Sequence, residues 1–188
     1  MIGRLVLVVG SSGAGKDSIL RFAMKKFSSD TRFVFPRRCI TRDADIAAED
    51  HDCLDKAAFD ELAANGVFAL VWQAHGNSYG VRRSIDDDLR LGNVVIVNVS
   101  RTILADAAKT YPTAVVVEIT AASETRANRI AARGRESTPD ILSRLIREVP
   151  MPATKLQVHT IRNDGALIES GNAFCDLITP FALGPHPR

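Results

Sequence analysis

At 188 residues, 46% of them hydrophobic and 24% charged, the chain has the size and balance of one globular domain with its own core. A net charge of +2 is too small to suggest a nucleic-acid or membrane surface by itself, and neither is expected as a partner. Three scattered cysteines, Cys39, Cys53 and Cys175, lack metal-ligand or disulfide spacing and fit a reduced, cytoplasmic setting. The apolar run near the start is too short for a signal peptide or a membrane span.

Leu5-Val6-Leu7-Val8-Val9 is an unbroken, mostly β-branched run, which reads as a strand buried on both faces. Gly10-Ser11-Ser12-Gly13-Ala14-Gly15-Lys16-Asp17-Ser18 follows, and Ile19, Leu20, Phe22, Ala23 and Phe27 then carry helical spacing. The glycines thus sit at a strand-to-helix turn, the context in which Gly-four residues-Gly-Lys binds phosphate. Main-chain N–H groups of such a turn and the positive end of the next helix form an anion nest, and Lys16 reaches in as a mobile point charge. Where the pattern expects a Mg²⁺-binding hydroxyl, Asp17 stands, with Ser18 one residue later. A carboxylate beside a triphosphate needs a cation between them, so Asp17 or Ser18 is expected to help hold Mg²⁺.

Beyond the first helix lies a basic, irregular stretch, Phe33 to Asp43, then the acidic Glu49-Asp50-His51-Asp52. Asp55 reads as the N-cap of a short helix that Gly66 closes. Val67 to Trp72 reads as a strand, and His75 to Val81 as a turn and return, so residues 33–81 form an inserted lobe. A polar helix over 82–91 carries Asp86-Asp87-Asp88, a solvated face rather than a metal site. Val94 to Val97 and Ala114 to Ile119 are further buried strands. The next helix lines up Arg126, Arg129 and Arg133 at i, i+3 and i+7, with Ala127 and Ile130 toward the core. Thr138-Pro139 opens another helix bearing Arg144 and Arg147, stopped by Pro150 and Pro152. A short strand over His159 to Arg162, then Asn163-Asp164-Gly165, lead to a closing helix with Leu167, Ile168, Gly171, Phe174, Cys175 and Ile178 on one side. Alternating strands and helices predict an α/β fold on a parallel sheet.

Six arginines, Arg126 to Arg147, cluster in one helix–turn–helix segment. Phosphoryl transfer needs positive groups on the moving oxygens with water excluded, and a flap of arginines supplies both. Singly each reads as a solvated residue paired with Glu124, Glu136 or Glu148; together Arg129, Arg133 and Arg135 favour a catalytic role. The lobe offers Arg38, Arg42, His51 and Tyr79 for a second anion, Arg42 with bidentate geometry. His51 is open between phosphate donor and exposed loop histidine, and Trp72 reads as core.

Gly10 to Ser18, Thr41-Arg42, Gly76-Asn77-Ser78-Tyr79-Gly80 and Arg129 to Glu136 resemble the guanylate kinases over nearly the whole chain. The resemblance implies a P-loop NTPase fold with core 1–32, 82–130 and 155–180, acceptor-binding lobe 33–81 and arginine-rich lid 131–150. It implies ATP contacts from Lys16, Asn163 and Asp164, and acceptor-phosphate contacts from Arg42 and Tyr79. It puts Arg133 and Arg144 in the lid and His51 at a phosphate-binding tyrosine's position. The positions that read guanine in that family are Leu70 and Val81 here, and neither hydrogen-bonds a base edge. Gly-Lys-Asp-Ser at 15–18, Ile-Thr-Arg-Asp at 40–43, Glu-x-His at 49–51, Val-Asn-x-Ser-Arg at 97–101, Arg-Gly-Arg-Glu at 133–136 and Asn-Asp-Gly at 163–165 are similar to a narrower family, the ribose 1,5-bisphosphate phosphokinases of phosphonate degradation. That likeness implies ATP and Mg²⁺ as cofactors, a sugar bisphosphate as acceptor and 5-phosphoribosyl 1-diphosphate (PRPP) as product. Two alternatives stand beside it, a nucleoside monophosphate kinase with relaxed base reading and a non-catalytic nucleotide-binding module. Oligomeric state is open, a homo-oligomer included.

Overall fold

The computed structural model describes residues 3–41, 51–74, 76–132 and 150–183. Its centre is a five-stranded parallel sheet in the order β2-β7-β1-β8-β9, formed by Phe33–Val34, Val94–Asn98, Arg4–Val9, Val115–Thr120 and Gln157–Arg162. β1 lies in the middle and alternates cleanly. Leu5, Leu7 and Val9 face one apolar cluster, Val6 and Val8 the other, and all five are buried. This two-sided burial explains the uninterrupted apolar run, and each such side chain contributes about 1.5–3 kcal/mol.

One face is covered by α1 (Lys16–Lys26) packed on α6 (Leu167–Ile178), joined by Phe174, Cys175 and Ile178. In α1 the buried Ile19 and Ala23 are one turn apart, with Asp17 in the first turn and Lys25 and Lys26 in the last, as the helix dipole favours. On α6, Gly171, Phe174, Cys175 and Ile178 are buried, but Leu167 and Ile168 are exposed. The expected apolar stripe therefore starts one turn later than the spacing suggested. The opposite face is covered by α3 (Ile85–Arg90) and α4 (Leu104–Thr110).

A second, four-stranded sheet has the order β4-β3-β6-β5: His51–Cys53, Arg38–Ile40, Asn77–Arg82 and Phe68–Ala74. The stretch 33–81 thus holds most of a sheet of its own. Phe33–Val34 pairs with β7 in the main sheet, and the small sheet runs on to Arg82. The register slips between Phe68 and Leu70. That irregularity turns Phe68 toward α2 (Lys56–Ala64), its ring 4.8 Å from Phe59, while Leu70 and Trp72 face the main core. Gly80 is required there, because a Cβ would sit 2.7 Å from the Phe68 ring. Asp55 caps α2 by accepting from Ala58 N at 2.8 Å. α5 (Ser123–Ala131) follows β8. Among the described residues no helix is long and apolar enough to cross a membrane.

Candidate active site

The loop between β1 and α1 is held from below by residues far away in sequence. Asn163, just past β9 and 3% exposed, donates its amide to Ala14 O at 2.8 Å and accepts from Ser170 Oγ at 2.8 Å. Gly15 has φ +91° at the start of α1, and a Cβ there would lie 2.2 Å from the Asn163 amide nitrogen. Only glycine lets loop and amide approach this closely. Asp164 accepts from Ala122 N at 2.6 Å, ahead of α5, and pairs with Arg162 at 2.8 Å. These bonds, the Ala122 N–H first, hold its carboxyl below the usual range. The structure thus places both residues in support of the loop and α5.

Around the loop stand cations. Lys16 Nζ donates to the carbonyls of Gly10 at 2.6 Å and Ser11 at 3.3 Å, lying across the nest it serves. Arg101, in the short 3₁₀ turn after β7, donates to Ser11 Oγ at 3.3 Å and to Glu118 at 2.7 Å. This pair is mostly buried. Nothing in the sequence reading assigned Arg101 or Glu118 a role. The signal was there: Glu118 is a lone charge inside the buried run 115–119, and a buried charge requires a partner. Arg126 is not an exposed member of the arginine stripe. It is 5% exposed and donates to Ser123 Oγ at 3.3 Å. Arg129 lies beside the loop. Its Nη1 lies 3.6 Å from where a Gly15 Cβ would be, buried and without a hydrogen-bond partner among the described residues.

Asp17, in the first turn of α1, accepts from Asn98 Nδ2 at 2.9 Å. Asn98 ends β7 beside Val8. Ser12 and Ser18 are partly buried within the same loop and turn. Asp17 and Asn98 line a cleft whose other wall is Phe35, Pro36, Arg37 and Arg38. The cleft therefore joins the loop to the small sheet. On that sheet Tyr79 is half-buried and Arg38 Cζ lies 5.9 Å from its ring centroid. His51 is not an exposed loop histidine. It sits buried on β4 beside Arg38, with no partner for Nδ1 among the described residues. Leu70 and Val81 are 6% and 0% exposed and closed into the core. Trp72 is core as expected. Arg42, Arg133, Arg135 and Arg144 lie outside the described residues.

No family model matches the chain. It is 48% identical over 172 residues to ribose 1,5-bisphosphate phosphokinase PhnN of Brucella melitensis, covering 92% of this chain and 90% of that one. The PhnN phosphokinase of Agrobacterium fabrum is 37% identical over 183 residues, 97% and 100% of the two chains. The chain belongs to the ribose 1,5-bisphosphate phosphokinase family. It is a phosphotransferase. Among solved structures, guanylate kinase from Anaplasma phagocytophilum aligns with a TM-score of 0.70 at 15% identity, over 95% of this chain and 86% of that one. The phosphokinase thus has the guanylate kinase-like P-loop fold, with the sheet order and inserted lobe described above.

Proposed function

We propose that the protein transfers the γ-phosphoryl group of ATP to the 1-phosphate of ribose 1,5-bisphosphate, giving 5-phosphoribosyl 1-diphosphate, a step of phosphonate breakdown. One observation carries the substrate class: the face that would have to read a nucleobase is apolar and closed, with Leu70 and Val81 buried, while Arg38 lines the cleft. The kinase relatives support the chemistry.

The chain's own residues supply position and charge. Main-chain N–H groups of residues 10–18 hold the donor phosphates. Lys16 exchanges its contacts with Gly10 and Ser11 for phosphate oxygens. Arg129, with Arg133, Arg135 and Arg144, neutralises the equatorial oxygens of the moving group. Arg38, Arg42, His51 and Tyr79 hold the acceptor. Its attacking oxygen is already anionic, so alignment suffices and no general base is needed. The residues at the nest fit Mg²⁺: Asp17 is an oxygen ligand, oriented by Asn98 and next to Lys16, with Ser18 one residue on. An ion held by these residues would offset the charge of the donor phosphates. All three thiols are free, which suits work in the cytoplasm.

The test is incubation with ATP, Mg²⁺ and ribose 1,5-bisphosphate, with the product read by phosphorus NMR. A diphosphate doublet pair at carbon 1 is expected. Faster turnover of GMP than of the sugar bisphosphate would overturn the substrate and leave a nucleoside monophosphate kinase.

A further inference from the structure

The core-facing side of the small sheet carries an aromatic pair of which the mechanism above uses only Tyr79. Trp72 on β5 and Tyr79 on β6 are direct cross-strand partners, with ring centroids 5.2 Å apart and planes 8° from parallel. β6 lies between β5 and β3, so Arg38 of β3 approaches Tyr79 from the side opposite Trp72. Three flat groups from three neighbouring strands form one stack, running from the buried indole to an arginine that lines the cleft. Leu70 and Val81, paired on the same face, close the wall beneath it.

Two consequences follow from this arrangement. A guanidinium held over an aromatic face is restrained before it binds, so less freedom is lost when its planar fork grips a phosphate. A nucleobase, in contrast, needs an aromatic face to stack on or polar groups to pair with, and Tyr79 is flanked on both sides. We propose that Trp72 is a positioning residue that sets acceptor selectivity: by backing Tyr79 it holds Arg38 toward the acceptor's phosphate and occupies the space a base would require. The proposal rests on Arg38 and Tyr79 being acceptor contacts.

The experiment compares the wild type with W72F, W72L and W72A, using ribose 1,5-bisphosphate and GMP as acceptors. Loss of the stacked ring in W72L and W72A raises KM for ribose 1,5-bisphosphate about tenfold, with kcat and the KM for ATP within about threefold. The ratio of kcat/KM for GMP to that for the sugar bisphosphate rises by about tenfold or more, and W72F stays near the wild type. W72L keeps the apolar bulk should W72A fail to fold. A purely structural Trp72 would leave the KM and ratio of folded W72L at wild-type values, and that result overturns the proposal. Trp72 is also the chain's single tryptophan, so its emission reports on the stack directly. Saturating ribose 1,5-bisphosphate is expected to change it in the wild type; no change at saturation sinks the role. Wild-type turnover of the two acceptors tests the substrate reading separately, and the change in their ratio between variants is defined whichever acceptor wins.

Discussion

Lys16 lies with its ammonium on two carbonyls of its own loop, and the proposed mechanism has it exchange them for donor phosphates. Removing it takes away a charge that matters most as the phosphoryl moves. Lys16→Ala is expected to lower kcat by about 10²–10³-fold, read by coupled ADP release. Asp17 and Asn98 raise a sharper question. The usual arrangement is a hydroxyl after the lysine and an aspartate at a strand end. Here the carboxylate is on the helix and the neutral amide on the strand, 2.9 Å apart. The two positions have exchanged chemistry while keeping one negative charge between them. The double swap Asp17→Ser with Asn98→Asp is therefore expected to recover much of the Mn²⁺ affinity that Asp17→Ser alone loses, measured by electron paramagnetic resonance of the ATP complex. Equal losses in single and double variants would overturn the exchange, and no loss in Asp17→Ser would remove Asp17 from the metal site.

Among the elements, the strands β1, β7 and β8 and the helix after the loop were legible, because runs buried on both faces and a Gly-Lys turn are local signals. The small sheet was legible only as a lobe. Its β3 and β4 are three residues each, too short for a period of two to register, and the slip at Phe68 reverses the pattern in β5. What stayed hidden in the site is non-local. Asn163 meets Ala14 across 149 residues, and Arg101 meets Ser11 across 90. No spacing rule reports such a pairing. Asp164 gives this scale its prediction. Its folded-state carboxyl titrates below the ordinary 3.8, so the charged form stabilises the β9–α5 junction above that value. The contribution is lost as pH falls through the depressed folded pKa. Asp164→Asn should therefore lower Tm at neutral pH, and the difference from the wild type should shrink to nothing as pH falls below 3.8. A constant difference across that range would mean that the loss lies in packing rather than charge.

At the scale of the whole molecule, β8, α1, α5 and the β9–α6 turn all converge on one loop, so filling that loop should tighten the entire fold. A ligand that binds only the folded chain at about 100 times its Kd adds ~2.7 kcal/mol. For a domain of this size that corresponds to a rise in Tm of about 5–10 °C. ATP with Mg²⁺ is expected to give such a shift in the wild type and much less in Lys16→Ala. Thiol accessibility checks that the shift is global. Burial pushes the Cys175 thiol up to about 11 and raises Cys39 as well, whereas Cys53 is exposed. A thiol reagent at pH 8 should modify Cys53 at once and the other two only as the chain opens. ATP should slow those two without protecting Cys53. If ATP raised Tm yet left the slow pair unchanged, the nucleotide would be stabilising its own loop alone. The convergence of four elements on that loop would then have no energetic meaning.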